Sequence, residues 1–166
     1  LVRGPARLAV RGEFAHDMEP DPEVVLAAEQ RAIEQVEYVW GVRCLKTPKY
    51  YKIDYTVAAP DNKVVGGAEV RGKNFERYKF NTFFTSLEKA MTLVRFEALT
   101  SKPAVVIVAW KDGVYCYRFT VNDTRTRDIT WDGRTTNSRG DDQDIEPVIH
   151  IPVRCFVKLE DMPSPF

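Results

Sequence analysis

The chain has 166 residues, 44% of them apolar and 29% charged, with 10 Pro and 9 Gly. That length suits one domain with a real core, and the composition excludes a disordered tail or a collagen-like repeat. No apolar run nears the ~18 residues of a membrane-crossing helix, so no membrane partner is expected. The N-terminal LVRGPARLAVRGEF likewise lacks the apolar stretch of a secretory leader. Net charge is zero but unevenly placed. Residues 1–40 hold 4 basic and 8 acidic side chains, residues 41–111 hold 13 and 6, and residues 112–166 hold 7 and 10. A basic middle third between acidic ends fits a phosphate-binding face or, equally, a solvated surface. Cys44, Cys116 and Cys155 stand far apart with no CxxC or His/Cys pair, which argues against zinc and disulfides and for a reducing compartment.

Residues 1–20 read as an irregular arm broken by Gly4, Pro5, Gly12 and Pro20. A helix follows, with Asp21 as N-cap, Pro22 at the first helical position and Gly41 as the stop. Its apolar stripe is Val25, Ala28, Ala32, Ile33, Val36, Val39 and Trp40. Lys49 to Ala59 reads as a strand, with Tyr51, Ile53, Tyr55 and Val57 on one face and Lys52, Asp54 and Thr56 on the other. Pro60-Asp61-Asn62 is a turn, so VVGGAEVRG from Val64 completes a hairpin, with Glu69 and Arg71 sharing a face opposite Val70. A loop rich in Lys, Arg and aromatics leads to a second helix from Thr85 or Ser86, striped by Leu87, Met91, Val94 and Ala98. Pro103 marks its end, AVVIVAW is a buried strand, and Lys111-Asp112-Gly113 turns into the strand VYCYRFT. Asp128 to Trp131 suits a short strand, WDGRTTNSRGDDQD a polar loop, and VIHIPVRCFVKL a closing strand with or without a short helix. The order helix, hairpin, helix, hairpin and tail predicts an α/β (α+β) mixed sheet, with 21–166 as one domain behind the arm.

Three acids stand out. Glu29 interrupts the inward stripe of the first helix, so it is either paired, protonated or metal-bound, or a stripe-edge residue that reaches water. Asp54 and Glu69 lie on the two strands of the hairpin, where antiparallel pairing can bring them to one Mg²⁺ or Mn²⁺ ion, a hard cation that takes carboxylate oxygens. Arg71 shares the face of Glu69, and Lys73 joins it if the strand continues past Gly72. A cation there can orient water and stabilise phosphoryl charge. Arg43, Lys46, Lys49 and Lys52 lead into Asp54, while Arg77 and Lys79 follow Glu69; interleaved with Tyr50, Tyr51, Phe75, Tyr78 and Phe80, they suit DNA phosphates, although the aromatics equally suit a core. His16 and His150 have no partner at zinc spacing, Ser86 reads as a helix cap, Gly66-Gly67 as a close approach inside a strand, and Asp141, Asp142 and Asp144 as a solvated loop.

An acid on a helix, Asp on a strand, then (D/E)-x-K on the next resembles the PD-(D/E)xK nuclease superfamily, and the element order of residues 21–120 resembles its restriction-endonuclease-like core with an extra C-terminal strand. The tail GRTTNSRGDDQDIEPVIHIPVRCF is similar to the ending of small phage-encoded nuclease-like proteins of that superfamily. The resemblance implies a divalent-metal-dependent DNA endonuclease using Mg²⁺ or Mn²⁺. Asp54, Glu69 and the carbonyl of Val70 would be the ligands, Lys73 or Arg71 the cation, and Glu29 an extra helix acid. The departure is Arg71 in the lysine position, since arginine cannot release a proton. It leaves open an alternative: a catalytically impaired pseudo-nuclease serving as a virion or DNA-packaging binding protein. The same resemblance implies the host cytoplasm or the virion as location, with a second copy or other phage proteins as further partners.

Overall fold

The computed structural model describes residues 21–133 and 145–166. The expected arm, with His16, and the loop carrying Asp141, Asp142 and Asp144 lie outside the described residues. Helix α1, Pro22–Trp40, begins as its sequence dictates. Asp21 accepts from the Glu23 N–H at 3.0 Å, and Gly41 closes the helix in the left-handed conformation. Strands β1 (Arg43–Lys46), β2 (Tyr55–Ala58) and β3 (Val64–Gly72) form an antiparallel meander. β4 (Thr82–Ser86) runs into helix α2 (Leu87–Thr100), after which β5 (Ala104–Trp110) and β6 (Gly113–Phe119) form a hairpin. A short helix α3 (Val121–Thr126) precedes β7 (Ile129–Gly133), β8 (Ile145–Pro152) and the two-residue β9 (Val157–Lys158).

The expected mixed sheet is present, in the order β1-β2-β3-β5-β6-β9, with β3 and β5 parallel and the other neighbours antiparallel. β5 is buried along its whole length, and its side chains alternate between two cores. Ala68, Val70, Val105 and Ile107 pack against Ala28, Ala32, Ile33 and Val36 of α1. Val106, Val108 and Trp110 pack against Ala90 and Leu93 of α2 and against Phe83, Ile149 and Ile151 of the second sheet. Each such fully buried Val, Leu or Ile contributes ~1.5–3 kcal/mol relative to exposure. α1 and α2 therefore clamp the central sheet from opposite faces. Among the described residues no helix is long and apolar enough to cross a membrane.

Three expectations need correction. The strand expected over Lys49 to Ala59 shrinks to Tyr55–Ala58, because Thr47 folds the preceding segment into a loop. Its N–H bonds the Asp54 carbonyl at 3.0 Å, and its hydroxyl donates to the carbonyls of Ile53 and Asp54. Strict alternation fails in that loop, so Ile53 joins the α2-side core while Val57 faces α1. The stripe expected on α2 is also rotated: Ala90 and Leu93 are buried, whereas Met91 is 55% exposed. The segment expected as a plain basic-aromatic loop contains β4. The expected closing strand is present as β8, which pairs with β4 and β7 in a separate three-stranded sheet, while only β9 reaches the central one.

Candidate active site

The register Tyr55↔Ala68 places Asp54, one residue earlier, opposite Glu69 on the α2 face. Their carboxyls lie close enough to hydrogen-bond each other. Glu69 is only 1% exposed, and the Asp54 side chain is 17% exposed. Two cations meet them. Arg71 Nη2 contacts Glu69 Oε1 and lies 3.9 Å from Asp54 Oδ2, while Lys89 Nζ donates to Asp54 Oδ1 and lies 3.8 Å from Glu69 Oε2. The cluster holds two carboxyls and two cations.

Burial pushes the Glu69 carboxyl up to about 8, the hydrogen bond and charge of Asp54 add to this, and Arg71 and Lys89 oppose it. Burial acts in the same direction on Asp54, but the hydrogen bonds from Glu69 and Lys89 and the charges of Lys89 and Arg71 outweigh it and hold Asp54 below the usual carboxylate range. Close acids cannot both ionise cheaply, so the pair keeps one proton on Glu69 at neutral pH.

The backbone opens at this point. Gly67 and Lys73 N–H groups donate to Pro103 and Ala109 carbonyls, so the odd-numbered residues of β3 pair with β5. The even-numbered ones turn their N–H and C=O toward β2, whose pairing ends at Tyr55↔Ala68. Val70 therefore presents its carbonyl at an edge that no strand covers among the described residues. Gly72, two residues on, has its N–H taken by Glu29 Oε1 at 3.2 Å. Glu29 thus reaches the same edge from α1, half-buried, and its charge acts with that of Asp54 on the Tyr55 phenol. It bonds the backbone rather than either carboxyl.

The residues suit a hard divalent ion. Glu69 Oε1 is a buried oxygen that meets the Arg71 guanidinium as an ion pair without a well-aligned hydrogen bond, and Asp54 and the Val70 carbonyl add oxygens beside it. Among the described residues no group of three or more His, Cys, Asp or Glu is placed to hold a metal ion. A hard ion such as Mg²⁺ would take one or two carboxylates here and leave positions for water and phosphate. An incoming ion has to compete with Lys89 and Arg71 for the carboxyls.

The remaining candidates sort by position. Lys73 follows the end of β3, where its N–H caps Ala109, and its ammonium lies 5.4 Å from the Phe83 ring centre and 6.0 Å from that of Phe75. Sequence reasoning missed Lys89. The signal was present: on the rotated face of α2, Lys89 precedes Leu93 by four residues and Phe96 by seven, a cation intruding on an inward stripe as Glu29 does in α1. Of the expected DNA contacts, Lys49 and Lys52 flank a cleft beside Lys89, Arg43 bonds Asn62 at 2.7 Å, and Lys46 lies over the Tyr55 ring. Arg77 is held between the Tyr78 and Tyr115 rings and donates to the Phe156 carbonyl, and Lys79 lies over Phe75 and Phe80. Ser86 takes the N-cap position of α2, but its hydroxyl donates to Glu146 at 2.8 Å. His150 sits between Thr82 and Thr130 hydroxyls, a structural position.

Comparison with known proteins adds three findings. The profile of a family described as "Phage putative PDDEXK endonuclease" matches residues 21–159. Among curated proteins nothing matches the chain. One similar solved structure is that of Archaeoglobus fulgidus Hjc, a Holliday junction resolvase from an archaeal hyperthermophile. It is 10% identical with a TM-score of 0.45, over 77% of this chain and 96% of that one.

Proposed function

Because this chain belongs to the phage putative PDDEXK endonuclease family, we propose that it is a divalent-metal-dependent DNA endonuclease, encoded by a phage and acting in the host cytoplasm as one domain over 21–166. The observation that carries this reading is the Asp54–Glu69 pair, two adjoining carboxyls, one of them almost fully buried, with the cations Arg71 and Lys89 against them. A bound Mg²⁺ or Mn²⁺ supplies a Lewis acid for the phosphodiester. Asp54, Glu69 and the Val70 carbonyl would hold that ion. Lys89, whose ammonium lies against both carboxyls, would be the cation next to an attacking water and the developing phosphoryl charge, which gives α2 the role that the motif assigns to the position of Arg71. Arg71 binds phosphate as a permanent charge. Glu29 holds the Gly72 N–H and so keeps the strand edge in register with α1. Lys49 and Lys52 neutralise the neighbouring DNA backbone.

Arg71 in the lysine position favours a second reading, a binding protein of the same fold without cleavage. One assay separates the two. Supercoiled, linear and branched DNA are incubated with Mg²⁺ or Mn²⁺ and with either the wild type or Asp54→Asn. Metal-dependent cleavage by the wild type alone supports the nuclease, and DNA binding without cleavage by either supports the second reading.

A further inference from the structure

Beside the carboxyl pair lies a feature that folding does not require. Between β1 and β2 the loop Lys49-Tyr50-Tyr51-Lys52 presents two large aromatics to solvent, Tyr50 at 90% and Tyr51 at 62% exposure. Exposed single aromatics are ordinary, but these two are displayed on a fixed support. Thr47 ties the two ends of the loop together, the Tyr51 N–H bonds Pro48 at 2.9 Å, and Ile53 plugs the following residue into the core. Helix α2 holds the tip, with Lys52 paired to Glu88 at 2.8 Å and Lys89 donating to the Lys52 carbonyl at 3.3 Å. A cleft of about 280 Å³ runs between this tip and α2, lined by both tyrosines and three lysines, Lys49, Lys52 and Lys89. That is below the ~300–1,000 Å³ of an enclosed small-molecule site.

The geometry points to a stacking platform for an unpaired nucleobase. It rests on the nuclease reading and deepens it: the substrate is DNA with an unpaired nucleotide next to the bond that is cut, not continuous duplex. Two tyrosines supply flat faces on which any base can stack, and the lysines between them supply phosphate contacts, the combination that binds single strands without reading sequence. Tyr51 and Asp54 are three residues apart, so their backbones lie within about 11 Å. That spans only a few stacked nucleotides at ~3.4 Å each. Lys89 belongs both to the cleft and to the carboxyl pair, so a strand seated on the tyrosines is led by its own phosphates to the acids. Paired bases bury both faces in the helical stack and offer the tyrosines nothing.

The test measures binding in EDTA, where no bond is cut, by fluorescence anisotropy. The probes are a continuous duplex and the same duplex with a one-strand gap that carries a fluorescent adenine analogue in the unpaired stretch. The wild type is expected to favour the gapped probe by roughly tenfold and to quench the analogue. Tyr50→Ala with Tyr51→Ala brings the ratio of affinities to about one, and the corresponding double Phe variant keeps it. Both side chains are exposed, so the Ala variant folds with an unchanged melting temperature. A wild-type ratio near one, no DNA binding, or a ratio that survives the Ala change would overturn the platform. Equal Mg²⁺-dependent cutting of both probes refutes the platform and keeps the nuclease. A gapped-probe preference without any cleavage keeps the platform and removes the nuclease.

Discussion

Lys89→Met separates the cation on α2 from the one expected beyond β3. The Lys89 side chain is 29% exposed, and its ammonium stands 3.8 Å from Glu69 Oε2 while donating to Asp54. At an effective dielectric of ~20, a unit pair about 4 Å apart is worth ~4 kcal/mol, and here the ionised partner of Lys89 is Asp54. Arg71 stays against both carboxyls, and Glu69 already carries its proton at neutral pH, so the net loss of stability without metal is only ~1–2 kcal/mol. For a protein of this size that lowers Tm by about 2–8 °C. Catalysis loses more. A charge aimed at the reacting phosphate is comparable to an oxyanion donor, whose removal costs ~10²–10³ in rate. Initial rates on labelled DNA at saturating Mg²⁺ should therefore fall by that factor, whereas Lys73→Met, with its ammonium over the Phe83 ring, should lower them less than about tenfold. The reverse ranking would refute the assignment of Lys89.

At subsaturating Mg²⁺ the cleavage rate should climb with pH by up to about tenfold per unit and level off above about 8, because the metal must displace the Glu69 proton that burial retains; a flat profile from about pH 6 to pH 9 contradicts this. In metal-free protein the raised Glu69 carboxyl stabilises the fold fully below its ordinary value of 4.5 and loses that contribution as pH rises through about 8. The Tm of Glu69→Gln should therefore gain on the wild type between about pH 5 and pH 8, and a constant gap speaks against the buried proton. Gly72→Ala should lower Tm by about 2–10 °C, for ~1–3 kcal/mol of overpacking, because its Cβ would sit 2.5 Å from the Val25 carbonyl oxygen and 3.2 Å from Ala28 Cβ; an unchanged melting curve means that α1 can retreat from the sheet.

Local signals carried much of this fold. Asp21, Pro22 and Gly41 punctuate α1, and seven apolar residues in a row mark β5, because capping and full burial leave direct imprints on residue type. The hairpin acids were legible too, since the Pro60-Asp61-Asn62 turn sets a register that brings Asp54 across from Glu69. Tertiary context hid the rest. Alternation from Lys49 to Ala59 is real in sequence, but hydrogen bonds from Thr47 close that stretch into a loop, and only Tyr55 onward pairs. The second sheet joins β4 to β8, more than sixty residues apart, and no local pattern encodes such a pairing. Lys89 was concealed because Leu87, Met91 and Val94 offer a plausible apolar stripe, and only packing against the sheet chooses Ala90 and Leu93.

The central claim is that Asp54 and Glu69 form a divalent-ion site, and Mn²⁺ titration followed by electron paramagnetic resonance addresses it without any DNA. The free-ion signal should be depleted by the wild type at pH 8 and left intact by Asp54→Asn, whose amide cannot supply the carboxylate charge that the ion needs. Equal depletion by both proteins, or none by the wild type, contradicts the account.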